Sequence, residues 1–351
     1  MKVFFCECGN LVHFENVGCV ACGRALAFVP EKREMVAVES AGAARLCRNG
    51  QDWGACNWLV AAGDDNPFCI ACRLNQIVPP LADDSARAGW IEIERAKRRL
   101  VYSLLEIGLP LISKADDPER GLAFAFLQRE NPQEAVVTGH ADGVITLDVA
   151  EADDPIREEV RKSLGETYRT LLGHLRHEVG HYFWNLFFAA DEQARRLFRD
   201  VFGDETRDYE QALQHHYNDG PPADWQGRFV SAYASSHPWE DWAETFAHYL
   251  HMRDTTETAH AFGLTVAARD PSGRRVREVS VKPTDIRSFD GLMRAFPPLT
   301  LAINALNRSM GVRDAYPFVL GGPAVTKMRF VHGMAVEAAR KKSTNHEGGS
   351  R

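Results

Sequence analysis

Apolar residues recur at helical spacing in several segments of the chain, and two short runs have the composition of strands. The stretch from Trp90 to Leu109 predicts the first long helix. Further helices are predicted over EADDPIREEV, around HLRHEVGHYFW (His174 to Trp184), over residues 231–251, over residues 289–311 with a break or kink at a Pro-Pro pair, and over residues 324–339. The runs GLAFAFL and GVITLDVA predict strands, and GHADG between them predicts a turn.

The order of these elements predicts the fold class. Strands come first and a helix with two histidines follows, which is typical of an α+β hydrolase. The run GVITLDVA has two interpretations that the sequence leaves open. It is either an edge strand along which an extended peptide substrate pairs, or an ordinary core strand.

The cysteines indicate a separate small region at the start of the chain. All eight fall between Cys6 and Cys72. They form two sets of four, Cys6, Cys8, Cys19 and Cys22, and then Cys47, Cys56, Cys69 and Cys72. Four thiolates close a tetrahedral zinc site, and a glycine after a cysteine pair lets the backbone turn around the metal. We therefore predict two zinc ribbons, although the Cys6–Cys8 pair is one residue tighter than the usual spacing.

These patterns predict three parts. A double zinc-ribbon domain spans residues 1–82, a main domain spans residues 86–338, and a polar tail spans residues 339–351 and is expected to be disordered. The stretch VPPLADDSARAGW between the first two parts contains a Pro-Pro pair and an Asp-Asp pair, which are typical of a linker.

Composition and charge narrow the function classes. Of the 351 residues, 45% are hydrophobic and 25% charged, which is typical of globular proteins, and the net charge of −7 argues against a general nucleic-acid binder. Residues 1–80 contain seven Lys and Arg against eight Asp and Glu, so the ribbons are expected to have a structural or protein-docking role. The sequence has no apolar run of membrane-spanning length and no signal-peptide core at its start, so we expect a cytoplasmic protein.

The segment HLRHEVGHYFW carries the pattern of a zinc hydrolase. On a helix, His177 and His181 project from the same face and are able to hold one zinc ion. Glu178 lies beside them, within reach of a proton on a zinc-bound water. Two histidines and a base still form an incomplete site, because a third protein ligand is needed.

The stretch from residue 231 to residue 251 offers that ligand. Glu240 and Glu244 are one helical turn apart among aromatic residues, where buried carboxylates need a positive partner. The alternative is a solvated acidic stripe. His248 competes as the third ligand. Four other histidines are candidates for lining a substrate pocket, although such histidines are more often simply packed: His174, His215, His216 and His237.

This combination resembles the glutamate-type zincins (gluzincins), and in particular the anthrax lethal factor type, in which a tyrosine stands seven residues before the ligand glutamate. Tyr233 has that position here. The resemblance implies that His177, His181 and Glu240 hold a catalytic zinc and that Glu178 is the general base. It also implies that Glu244 accepts a hydrogen bond from a ligand histidine and that Tyr233 donates one to the developing oxyanion.

Nearly the whole chain resembles the bacterial zinc-binding metallopeptidases with an N-terminal zinc-ribbon domain. The matching segments are FENVGCVACG, CNWLV, FCIACRLN, RHEVGHYFW, WAETFAHYLH and LNRSMGVRDAYPFVL. The resemblance implies a zincin-like peptidase with one catalytic and up to two structural zinc ions, acting on a peptide or protein. Two alternatives are an interaction protein whose zincin site is structural or vestigial, and a hydrolase of another amide bond. A nucleic-acid protein ranks well below both.

Overall fold

We describe the fold from a computed structural model, which covers residues 2–129, 138–163 and 170–348. The strands are β1 (Phe4–Phe5), β2 (Leu11–Val12), β3 (Leu26–Val29), β4 (Glu34–Ala37), β5 (Arg45–Leu46), β6 (Leu59–Val60), β7 (Asn75–Ile77), β8 (Ala123–Leu127), β9 (Gly139–Ala141), β10 (Val144–Asp148), β11 (Thr265–Arg269) and β12 (Arg275–Ser280).

The helices make up most of the regular structure. They are α1 (Arg48–Trp53), α2 (Asp84–Ile107), α3 (Asp154–Ser163), α4 (Leu171–Phe188), α5 (Glu192–Phe202), α6 (Tyr209–Asp219), α7 (Trp225–Arg228), α8 (Pro238–Ala261), α9 (Pro283–Arg287), α10 (Phe289–Ser309) and α11 (Gly322–Gly348). Long helices beside small sheets, with a Cys-rich region at the start, confirm the predicted α+β class.

The chain divides into two units by its internal contacts. The first unit contains Phe4–Ala190 and the end of α11, and the second contains Asp191–Ala335. The first unit thus combines the Cys-rich region with α2, α4 and the largest sheet.

Aromatic rings explain why the Cys-rich region and α2 belong to one unit. Three antiparallel hairpins, β1–β2, β3–β4 and β5–β6, form the Cys-rich region. The ring of Phe14 lies 4.9 Å from that of Phe28 and 5.3 Å from that of Tyr102, which is on α2. Trp58 lies 4.8 Å from Phe28 and is fully buried. The Cys-rich region therefore completes its core with residues of α2.

The largest sheet has the strand order β7-β8-β10-β9, with β7, β8 and β10 parallel and β9 antiparallel to β10. The run GVITLDVA forms β10, which pairs on both sides, so its interpretation as an edge strand is wrong. Among the described residues β9 is the outer strand, and it lies in the segment for which we predicted only a turn. Asp142 (φ 47°) and Gly143 (φ 79°) make the tight two-residue connection from β9 to β10. Positive φ at both positions is the geometry of a type I′ hairpin turn.

Helix α2 begins inside the stretch that we predicted as a linker. The side chain of Asp83 accepts hydrogen bonds from the backbone N–H groups of Ser85 and Ala86, which is an N-cap. The linker is therefore shorter than expected. The helix contacts α4 and the 3-10 helix Val149–Ala152 within the same unit. Its burial positions the segment that bears the paired histidines.

The second unit is mainly helical. Its aromatic core contains Phe198, Phe202, Trp242 and Phe330, with the rings of Phe198 and Phe202 stacked 5.0 Å apart. Helix α8 passes through this core. It begins where His237 accepts a hydrogen bond from the backbone N–H of Trp239, with Pro238 in the first turn, where no intrahelical donor is needed.

The two long helices of the C-terminal part bear on the sequence predictions. Helix α10 continues through Pro297 and Pro298, so the predicted break is wrong, while a kink at the prolines stays a prediction. Its apolar face, which includes Phe296 and Leu299, is buried on both sides of the prolines. Helix α11 continues to Gly348 and so includes residues 339–348 of the predicted tail, for which disorder stays a prediction. No proline interrupts residues 339–348, and the stretch begins with four residues that favour helix, Ala339 to Lys342. Residues 349–351 of the predicted tail lie outside the described residues.

In the part of the chain that the structure describes, no helix is both long enough and apolar enough to span a membrane.

Gly50 provides a test of the packing around the second set of cysteines. A Cβ at this position would lie 2.1 Å from the carbonyl oxygen of Cys56. Because the obstructing atom belongs to the backbone, we expect Gly50→Ala to lower stability by about 1–3 kcal/mol or more. Thermal unfolding and zinc content are the measurements. Gly18→Ala is the matched control, since its Cβ would meet no atom closer than 3.9 Å. Equal unfolding midpoints for the two variants would contradict the packing described here.

Candidate metal centres

The eight cysteines form the two predicted groups of four. In each group, four ligand atoms lie within 4.8 Å of one another. The sulfur atoms of Cys6 and Cys22 are 3.6 Å apart, those of Cys8 and Cys19 are 3.7 Å apart, and those of Cys56 and Cys69 are also 3.7 Å apart. A tetrahedral Zn–S site has sulfur atoms about 3.8 Å apart. Both groups therefore fit zinc.

The two groups differ in exposure. All four cysteines of the second group are buried, whereas Cys8 and Cys22 of the first are exposed. Burial raises the pKa of Cys56 and of Cys69 well above the usual range, while hydrogen bonds from these same thiols lower the pKa of Cys47. Four thiols in one buried cluster do not ionise together without a cation. The second group in particular needs a metal ion to bear the charge of its thiolates.

Charged residues of α2 lie directly beside the second group. The sulfur of Cys72 is 3.7 Å from Oε2 of Glu94, and Nζ of Lys97 is 2.7 Å from Oε1 of the same residue. Glu94 and Lys97 have no exposed side-chain surface. Arg98 donates to the carbonyl of Ala55. Two buried cations thus offset negative charge next to the thiolates, which is favourable in a low-dielectric interior.

Helix α4 brings His177 and His181 together. Its N-cap is Thr170, whose hydroxyl accepts a hydrogen bond from the backbone N–H of Gly173. Leu175 and Val179 are fully buried, while the two histidines are half-buried. Their Nε2 atoms lie 3.2 Å apart. Tetrahedral zinc with two imidazole ligands requires about 3.3 Å, so this pair fits a zinc ion.

Glu178 is buried beside this pair and is held by another histidine of α4. Its Oε1 lies 3.2 Å from Nε2 of His174. Burial alone would raise the pKa of Glu178, but the hydrogen bond from His174 and the charge of His177 outweigh that effect and lower it. The hydrogen bond from His174 thus favours the ionised form of Glu178.

The structure adds two residues that the sequence analysis missed. Glu151 accepts a hydrogen bond from Nδ1 of His174 at 2.8 Å. His140 of β9 has its ring 6.4 Å from that of His181, and its Nε2 accepts a hydrogen bond from the backbone N–H of Gly143. Burial and the nearby charge of His181 lower the pKa of His140 to about 4. No sequence spacing signalled either residue, because strand pairing and tertiary packing place them.

In the second unit, helix α8 carries the two predicted carboxylates. Glu240 is 1% exposed, and its Oε1 accepts a 2.7 Å hydrogen bond from the hydroxyl of Tyr209. Oε2 of Glu244 accepts one of 2.6 Å from the hydroxyl of Ser231. Tyr233 begins the 3-10 helix that precedes α8, and its ring lies 5.8 Å from that of His216. The burial of Glu240 does not fit the alternative of a solvated acidic stripe.

Three of the other histidines have local partners. His215 lies 2.6 Å from the carboxylate of Asp219 at an exposed position, and His237 caps α8. His248 lies 2.7 Å from the hydroxyl of Tyr316. These contacts favour packing or surface roles.

Known proteins share this combination of features. Residues 86–334 match the family described as "Putative zinc-binding metallo-peptidase", and residues 3–83 match a zinc-ribbon domain. The chain belongs to this metallopeptidase family. The family and the two four-cysteine groups together support zinc as the metal.

Several relatives extend over nearly the full chain. An uncharacterized protein of Mycobacterium bovis is 42% identical over 340 residues, which cover 97% of this chain and 96% of that protein. Uncharacterized proteins from two strains of Mycobacterium tuberculosis match to the same extent. No solved structure matches the chain significantly.

The difference in exposure between the two four-cysteine groups predicts two rates of zinc release. A chelator reaches the exposed thiolates of Cys8 and Cys22 directly, whereas the second group must open first. When zinc release is followed over time with a coloured chelator, we expect a fast phase and a slow phase. Cys8→Ser should remove the fast phase, and Cys69→Ser should remove the slow phase. Loss of the same phase in both variants would show that the two groups open together.

Proposed function

We propose that this protein is a zinc-dependent metallopeptidase of the gluzincin type. The pairing of His177 with His181 on one face of α4, with the buried Glu178 between them in sequence, carries the proposal, and family membership supports it. We place the protein in the cytoplasm, since clustered thiols that serve as metal ligands suit a reducing compartment.

Glu240 completes the proposed ligand set. Its support is its burial on α8, its position seven residues after Tyr233, and the resemblance to lethal-factor-type enzymes. The hydroxyl of Tyr209 holds one of its oxygens and so orients the carboxylate. Glu244, which Ser231 holds, is proposed as an outer partner of a ligand histidine.

The chain's own residues then perform general base catalysis. A zinc ion at this site would supply Lewis acidity and a water of lowered pKa. Glu178 removes the proton from the attacking water and delivers it to the leaving amine. The hydroxyl of Tyr233 donates a hydrogen bond to the oxygen of the peptide carbonyl as negative charge develops there.

The four-cysteine groups have a structural role in this proposal. The aromatic core that the Cys-rich region shares with Tyr102 of α2 favours this role over docking of a separate protein. A structural zinc ion would hold the loops around that core in place.

Glu178→Gln tests the proposed base. The amide cannot accept a proton, so we expect hydrolysis of labelled casein or of a quenched-fluorescence peptide library to fall by about 10²–10⁴-fold, with zinc content unchanged. Glu92→Gln is the control, because this residue is half-exposed on α2 and pairs with Arg95 on the surface of that helix. Hydrolysis at the wild-type rate in Glu178→Gln would disprove the mechanism. If the zinc-loaded wild-type protein hydrolyses neither substrate, the result would favour an interaction protein.

Metal analysis tests the third ligand. We expect about three zinc ions per wild-type chain and about two in Glu240→Ala, because loss of a ligand weakens the site on α4. Glu210→Ala, an exposed change in the same unit, should retain three. Retention of three in Glu240→Ala would remove Glu240 from the ligand set and make His248 the next candidate.

A further inference from the structure

A row of hydrogen-bonded side chains leads from the sheet to Glu178. The hydroxyl of Thr138 donates to Oε1 of Glu151 at 2.9 Å. Oε2 of Glu151 lies 2.8 Å from Nδ1 of His174, and Nε2 of His174 lies 3.2 Å from Oε1 of Glu178. All four residues belong to the first unit.

The ring of His174 lies between two carboxylates. A neutral imidazole has a single N–H donor, so one ring nitrogen would face a carboxylate with its lone pair. The doubly protonated ring satisfies both contacts while both carboxylates remain ionised. Burial alone would lower the pKa of His174, but the negative charges of Glu151 and Glu178 outweigh it and raise the pKa to about 9.

Two separate elements position the row: α4 carries His174 and Glu178, and the 3-10 helix Val149–Ala152 carries Glu151. His174 and Glu178 are one turn apart on α4, so their side chains are neighbours. Glu151 belongs to the 3-10 helix Val149–Ala152, which directly follows β10 and contacts α2. The backbone carbonyl of Glu151 also accepts a hydrogen bond from Arg157.

Solvent is largely excluded from these contacts. The side chains of His174, Glu151 and Glu178 are 13%, 9% and 7% exposed. Charge-assisted hydrogen bonds at such sites are stronger than those between neutral groups or on the surface. The row is therefore able to hold a carboxylate in one orientation.

We propose that His174, anchored by Glu151, is a positioning residue that holds Glu178 through one carboxylate oxygen and leaves the other oxygen for proton transfer. This inference rests on the proposed function, because it gives Glu178 the role of the base. The sequence motif ascribes no such role to the histidine one turn before the glutamate. Removal of the contact lets the carboxylate rotate away from its productive orientation and slows the proton transfer.

Substitution of His174 tests the proposal through kinetics. His174→Leu has no donor, whereas His174→Gln retains an N–H able to reach Glu178 one turn later. We expect the leucine variant to lower kcat for a quenched-fluorescence peptide about 10–100-fold with little change in KM, and the glutamine variant to recover a large part of the loss. Zinc content and the unfolding midpoint are measured alongside. His215→Leu is the control and should leave kcat unchanged, because it removes the exposed contact of His215 with Asp219, which has the same i,i+4 spacing.

Two kinetic outcomes would overturn the proposal. The first is a folded, zinc-loaded leucine variant with wild-type kcat. The second is an equal loss in the leucine and glutamine variants, which indicates that the ring only fills space.

The protonation state of the ring provides a readout that requires no hydrolysis. In nitrogen-15 spectra of the full-length, zinc-loaded protein at pH 7, we expect both ring nitrogens of His174 to be protonated. The signal is assigned by its absence from His174→Gln. In Glu151→Leu the ring loses a stabilising charge and should become neutral.

This readout separates the two proposals. A wild-type His174 ring with no proton on Nε2 has no donor for Glu178, and this result disproves the positioning role even if the enzyme is active. A doubly protonated ring in a protein without hydrolytic activity instead disproves the proposed function.

Discussion

The burial of α2 is the constraint on which the first unit depends. Trp90 and Tyr102 of this helix are fully buried, and so are the charged side chains of Glu94 and Lys97. A helix buried on this scale needs apolar partners around most of its circumference and counter-charges for its ionised groups. The Cys-rich region supplies aromatic rings and thiolates, and the sheet supplies Phe124 and Phe126, whose rings lie 5.5 Å from Nζ of Lys97. The Cys-rich region is thus part of the core around α2, and α2 in turn contacts α4, which carries the paired histidines.

Charge compensation recurs at the candidate sites. Buried thiolates lie near Lys97 and Arg98, and the carboxylates of Glu151 and Glu178 lie on either side of His174. In a low-dielectric interior an unpaired charge is expensive, so each of these groups restricts where its partner can lie. This restriction limits the arrangements that each pair of groups can adopt. Rigid placement of a general base is what proton transfer in catalysis requires.

Local pattern was sufficient to predict much of the fold. The helical spacing between Trp90 and Leu109 predicted α2, and the runs GLAFAFL and GVITLDVA predicted β8 and β10. The errors lie where context overrides local signals. Pro297 and Pro298 predicted a break or kink in α10, and the break is absent because the buried apolar face continues on both sides of the prolines. The turn at GHADG contains a strand, because β9 forms only by pairing with β10.

The sequence by itself determined the cysteine groups, the spacing of His177 with His181 and the position of Glu178, because these depend on residues close together in the chain or on side-chain chemistry. Only the tertiary structure decided that the Cys-rich region shares a core with α2, that β10 lies inside its sheet, and that Glu151 anchors His174. These features join segments that are distant along the chain. These contacts form when buried surfaces pack together and buried charges pair in the folded protein. The spacing of residues along the chain does not specify which surfaces and charges these are.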